Sequence, residues 1–266
     1  MIIKGGSNMT GTDVARFTHK QSRSYLNQLV IVKINKKRGF VRRNRGLFDS
    51  NAGPSHTKKK LQKYILKQPD TGELCRRCWK ESEIIQHTTA ACEQLAPTEY
   101  VKRHDGLAKI IHQKLAEAAE LIDDKSPHYK YTPVNVLENE SSKLYWNRSV
   151  LTDETITFKR PDITFMNKKT KNNFLIDIAV PDTHNIAKTI TDKQNKYQEV
   201  ANEICAMWKQ KAAQVIPIVI SSMRVIPKSL SQSLTILKLQ PNTYIQLQKS
   251  VILGTCSIVR NFLNYK

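Results

Sequence analysis

Within residues 159–197, KRPDITFMNKKTKNNFLIDIAVPDTHNIAKTITDKQNKY, two aspartates, Asp162 and Asp177, open or interrupt strand-like runs, and two lysines, Lys193 and Lys196, fall on the helix that follows. Asp162 opens an apolar run that ends at Met166, and Asp177 interrupts a second run at 174–180. A charge inside such a run is costly to bury unless it is paired or bound to a metal. The polar segment 167–173 between the runs reads as a turn, so the two strands lie side by side and their carboxylates converge near one end of the hairpin. Close carboxylates repel, and a divalent cation resolves the repulsion. Such a pair is half of a metal-assisted phosphodiester hydrolase.

The other half is the helix that follows. Ile186, Ile190, Tyr197, Ala201, Ile204 and Trp208 recur at helical spacing. Lys193 projects within that apolar stripe and Lys196 lies at its margin. A lysine on an apolar face either snorkels to solvent or takes an anionic partner, and Asp177 or a substrate phosphate would serve. A second cluster lies upstream. Cys75, Cys78, His87 and Cys92 form C-x2-C-x8-H-x4-C, the donor set and spacing of a tetrahedral zinc site. Arg76, Arg77 and Lys80 lie beside the thiols and are expected to lower their pKa values. With four protein ligands such a site is closed, hence structural or nucleic-acid-binding rather than catalytic.

These motifs together resemble the C-terminal region of non-LTR retrotransposon polyproteins, in which a Cys-Cys-His-Cys knuckle precedes a restriction-like PD-(D/E)XK endonuclease. Arg160-Pro161-Asp162 matches the PD element and Asp177 the second acid. Position 179 is Ala where many such nucleases carry lysine, and Lys193 with Lys196-Tyr197 matches the family's K…KY pattern on the following helix. Arg103-His104-Asp105 resembles its short RH element. The resemblance covers residues 57 to the C-terminus. It implies Asp162 and Asp177 as Mg²⁺ ligands, Lys193 or else Lys196 as the third catalytic group, and Tyr197 as a packing or phosphate-touching residue. It also implies Arg76, Arg77, Arg103, His104, Arg160 and Tyr197 as nucleic-acid contacts, Zn as structural cofactor and Mg as catalytic cofactor. The implied activity is metal-dependent nicking of target DNA, and the implied partners are DNA and element RNA. A full element carries a reverse transcriptase ahead of the knuckle. Only a short basic segment precedes it here, so the reading is a piece of a longer polyprotein or a shortened gene. The alternative is a catalytically inactive zinc-knuckle remnant that binds nucleic acid.

The elements that must position these groups can be traced along the chain. The 266 residues carry 43 Lys+Arg against 23 Asp+Glu, a net charge of +20, which points to an anionic partner such as nucleic acid. Residues 1–56 read as a basic, irregular arm, in which Lys36-Lys37-Arg38 and Arg42-Arg43-Asn44-Arg45 are either phosphate contacts, a nuclear import signal or a solvated tail. Within it 26–34 has strand-like alternation, and 57–67 could form a helix leading into the knuckle module, 57–97. A nuclease core at 98–225 and covering helices at 226–266 complete the division. In the core, Leu107, Ile111, Leu115 and Ile122 mark a helix whose apolar side His104 shares, so His104 is either a core histidine or a phosphate contact. Glu117 borders that face and is either a third carboxylate or a solvated one. Residues 126–136 read as loop, 143–147 and 151–158 as strand-like, and 215–220 as a buried strand in which Pro217 favours an edge or bulge. The helix after Pro181 is expected to run to about 211.

The expected fold is therefore α/β: a restriction-endonuclease-like small mixed sheet flanked by helices, preceded by a zinc knuckle and a basic arm. Five Cys, three of them clustered with a His, argue for metal rather than disulfides. No apolar run approaches the ~20 residues of a membrane span, and no secretory signal core is evident, so a nuclear protein with no membrane or small-molecule cofactor is expected.

Overall fold

The computed structural model describes residues 74–123, 126–153 and 155–264. The arm, its strand at 26–34, its basic clusters and the helix at 57–67 lie outside the described residues. The chain divides into two compact units, Met1–Gln94 with Val259–Lys266, and Leu95–Ile258. The sheet and the paired aspartates belong to the second unit, and the Cys/His cluster to the first.

The second unit is an α/β fold with a mixed, open, five-stranded sheet flanked by helices. A π-helical turn, Ala96–Tyr100, leads into α1, Val101–Ala118. The strands are β1 Val136–Glu138, β2 Ser142–Trp146, β3 Ile163–Asn167, β4 Asn172–Ala179 and β5 Ala212–Val219, and their spatial order is their sequence order. The first four form an antiparallel meander, and β5 joins β4 in parallel. Between β4 and β5 run a short 3₁₀ turn, Thr183–Asn185, then α2, Ile186–Lys196, and α3, Gln198–Met207. After β5 come α4, Lys228–Ile236, and α5, Thr243–Leu263.

Side-chain alternation along β4 sorts the two faces. Phe174, Ile176 and Ile178 pack with Leu107, Ile111, Leu115, Leu230, Leu234, Leu247 and Val251 of α1, α4 and α5. Leu175 points the other way, to Val150, Tyr197, Val200, Ala201 and Ile204. Asp177 has the parity of Leu175 and so lies on the face that α2 and α3 cover.

Two local expectations are corrected, and the buried strand around Pro217 is found where the sequence places it, at an edge. The helix after Pro181 is not continuous to 211: it breaks at Tyr197, whose φ of −112° and ψ of 13° end α2 before α3 begins. The break lets the Tyr197 ring turn inward among the α3 residues. Residues 151–153 and 155–158 are not in a strand; Val150 N–H reaches the Lys159 carbonyl instead. The strand carrying Pro217 is an edge, buried only in its second half. Pro is tolerated there because no further strand among the described residues needs its missing N–H.

Candidate functional site

The acid pair follows from the hairpin register. Ile163 pairs with Ile176 at the end of the β3–β4 ladder, and the next opposed positions are Asp162 and Asp177. Both point to the α2–α3 face, opposite the main core. Asp177 lies within β4, held by the parallel ladder to β5 just past the end of the β3 ladder, and its residue is only 2% exposed. Asp162 precedes β3, and its backbone carbonyl accepts Asn147 N–H at 2.7 Å. Its side-chain Oδ2 accepts the Ile178 N–H at 2.7 Å and faces His104 Nε2 at 3.1 Å.

Helix α2 supplies the cation. Lys193 Nζ lies 2.6 Å from Asp177 Oδ2. This ion pair neutralises a carboxylate that is otherwise buried away from solvent. Lys196 takes another course. Its ammonium lies over the rings of Phe158 and Tyr197, 5.3 and 4.7 Å from their centroids. Tyr197 O–H donates to the Arg160 carbonyl at 2.9 Å, which ties the α2–α3 break to the segment that delivers Asp162. Burial, and then the charges of Asp177 and Asp162, push the Tyr197 phenol well above its ordinary value. Tyr197 is therefore a neutral packing and hydrogen-bonding residue here.

The electrostatics separate the two acids. Burial raises the Asp177 carboxyl to about 6, helped by the Asp162 charge and opposed by Lys193. Burial also disfavours the charge on Asp162, but the His104 hydrogen bond and charge and the Ile178 N–H outweigh it and leave Asp162 below its usual value. His104 loses stability as a cation through burial, yet its contacts with Asp105 and Asp162 raise it to about 9. Two carboxylates, an imidazole and an ammonium thus converge at the mouth of the β3–β4 hairpin.

Other expected contacts fall elsewhere. Arg103 is 3% exposed, donating to Thr255 Oγ1 at 3.1 Å and lying over the Tyr100 ring. Such burial does not suit the phosphate contact expected of it; its guanidinium serves the packing of α1 on α5. Burial lowers its pKa to about 10. Arg160 is exposed, and its Nε donates to Asn147 Oδ1 at 2.8 Å. Glu117 pairs with Lys114 at 2.6 Å and is not a third carboxylate of this site. Asp105 was read only as part of the RH element. Its sequence signal was adjacency to His104, and its role as a partner of the imidazole needed the structure.

In the first unit, Cys75, Cys78, His87 and Cys92 bring one ligand atom each to within 4.8 Å of one another. Cys75 Sγ and Cys92 Sγ are 3.9 Å apart, and Cys78 Sγ and His87 Nε2 3.3 Å. A tetrahedron of Zn–S bonds has edges of ~3.8 Å, so the cluster fits zinc. The cysteines are free, and all four side chains are buried. Local backbone explains the convergence. Cys75 N–H donates to the Glu81 carbonyl and Trp79 N–H to the Cys75 carbonyl, closing the first pair in a tight turn with Trp79 at φ 58°. His87–Ala91 is a π-helical turn, and Cys92 N–H returns to the His87 carbonyl. Ligands five residues apart diverge on an α-helix, whereas the i→i+5 closure of a π turn brings them to one side.

Two of the cations expected to activate these thiols, Arg76 and Lys80, pair with carboxylates. Arg76 Nε donates to Glu83 at 2.9 Å, its guanidinium also lies over the Phe262 ring, and Lys80 pairs with Glu93 at 2.6 Å. Burial opposes ionisation of Cys78, but the Lys80 and Glu81 N–H groups prevail and lower it. Burial pushes the Cys92 thiol up to about 12. The sequence pattern located the ligands; the amides that favour the thiolate carry no side-chain signature.

No family model matches the chain, and no curated protein is measurably similar to it. Among the described residues no helix is long and apolar enough to cross a membrane.

Proposed function

We propose that the second unit is a metal-dependent DNA endonuclease of the restriction-like PD-(D/E)XK kind, and that the chain derives from the C-terminal region of a non-LTR retrotransposon polyprotein. The observation that carries this reading is the convergence of Asp162, Asp177 and Lys193 across one end of an antiparallel hairpin and its following helix. The donor set fits Mg²⁺: two carboxylates meet at the end of one hairpin and supply the hard oxygen ligands such an ion takes. Asp162 and Asp177 would hold the ion, which when bound supplies Lewis-acid activation of water and charge neutralisation at the scissile phosphate. Lys193 is released from Asp177 to face the phosphate, and Lys196 shields the Phe158–Tyr197 side of the site. Zinc in the Cys75, Cys78, His87, Cys92 cluster orders the knuckle, and the net charge of +20 favours phosphate contacts independent of sequence. The site of action in this reading is the nucleus.

A plasmid-nicking assay tests the proposal. The zinc-loaded full chain is incubated with supercoiled DNA and Mg²⁺, Mn²⁺ or EDTA. Nicking that needs the divalent ion and falls by roughly 100-fold or more in Asp162→Asn and Asp177→Asn is the expected result. One observation favours the alternative, an inactive nucleic-acid-binding remnant: His104 and Lys193 already oppose the charge of both acids. DNA binding with no nicking under any metal would establish that alternative.

A further inference from the structure

We infer that His104, held by Asp105, is a positioning residue that fixes the orientation of the Asp162 carboxylate for divalent-ion binding; this rests on the nuclease reading above. The two acids are supported very differently. Asp177 lies within β4, one residue past the end of the β3 ladder and inside the parallel ladder to β5, opposite Pro217. Asp162 stands outside β3, at the end of a loop, and its carboxylate depends on side-chain and amide partners. Its Oδ2 has two hydrogen-bond partners, the Ile178 N–H and His104 Nε2, and the carboxyl group also meets that of Asp177. The two Oδ2 contacts lock the torsion of the carboxylate where it faces Asp177.

His104 is itself anchored. Its Nδ1 faces Asp105 Oδ1 at 3.1 Å, so both ring nitrogens meet carboxylate oxygens and the ring plane is fixed at each end. Its backbone is in the first turns of α1, whose Leu107 and Ile111 are fully buried in the main core. The chain Asp105–His104–Asp162 thus runs from a packed helix to one candidate ligand. Outer partners of this kind orient metal-binding carboxylates, and their loss typically weakens metal affinity 10–100-fold.

The test reads metal binding directly, apart from cleavage. Mn²⁺ is titrated into the zinc-loaded full chain and free Mn²⁺ is followed by electron paramagnetic resonance. His104→Ala is expected to weaken Mn²⁺ binding about 10- to 100-fold, and Asp105→Asn to weaken it by a smaller factor. His104→Gln, which keeps an N–H donor, is expected to recover most of the loss. Zinc content and thermal midpoint should stay as in the parent. Parent-like Mn²⁺ affinity in His104→Ala, or an equal loss in His104→Gln, overturns the assignment. So does a directly bound imidazole nitrogen in the pulsed spectrum, since His104 would then be a ligand. If the parent binds Mn²⁺ and nicks DNA while His104→Ala does both equally well, the positioning role fails and the nuclease reading stands. A parent that neither binds Mn²⁺ nor nicks removes both.

Discussion

Lys193 and Lys196 are one helical turn apart on α2, and that turn separates an ion pair from a cation–ring contact. The sequence left the choice between them open because both lie near the apolar stripe. The geometry differs because Tyr197 turns inward and its ring receives Lys196. In the nicking assay Lys193→Ala is expected to lose roughly 100-fold in rate, and Lys196→Ala only a few-fold. Equal losses would show that α2 rearranges when DNA binds. His112 gives a second prediction at this scale. It is fully buried, its Nδ1 is 2.7 Å from Tyr131 Oη, and burial lowers its pKa to about 4. Below the ordinary value of 6.5 the unfolded chain takes up a proton that the folded chain refuses. Stability therefore falls as pH drops from about 6.5 to 4, by up to ~3 kcal/mol. His112→Gln should show a shallower loss in urea melts over that window, and an unchanged slope would refute the assignment.

At the scale of elements, the paired aspartates were legible because a hairpin reveals its register through alternation. The helix break was not, because the apolar spacing continues smoothly from Ile190 through Tyr197 to Ala201. What interrupts α2 is a tertiary hydrogen bond, from Tyr197 to the Arg160 carbonyl, and no helical pattern records it. Tyr197→Phe should cost about 1 kcal/mol in a denaturant melt and loosen the Asp162 segment. Gly254 was equally silent in the sequence. A Cβ there would lie 2.6 Å from Arg103 Cγ, so the glycine is what allows α5 to approach α1. Gly254→Ala should destabilise by about 1–3 kcal/mol, since the crowded atom is near the backbone and cannot swing clear. Because His104 follows Arg103, the same change should also disturb the Asp162 carboxylate, visible as weaker Mn²⁺ binding.

For the whole molecule, composition predicted an anionic partner and the Cys/His spacing predicted a metal cluster, both without reference to fold. The division into two units was less accessible. The last residues of α5 belong with the Cys/His unit although the helix begins among the core-covering elements. A zinc-dependent unit and a sheet-based unit should respond differently to chelation. With EDTA, calorimetry is expected to lose or shift a low-temperature transition while the transition of the sheet unit persists. A single transition insensitive to chelation would argue against zinc in the cluster. The order of strands has one more consequence. An open sheet leaves two borders at which another chain could add itself. Here β1 is three residues long, with Glu138 held by Lys143 and Lys168. At the other border Pro217 offers no donor, and its carbonyl accepts the Ser233 hydroxyl at 3.1 Å. Neither border is a good template for strand addition, so the fold carries its own protection against self-templated assembly, and Pro217→Val is the substitution that would remove part of it.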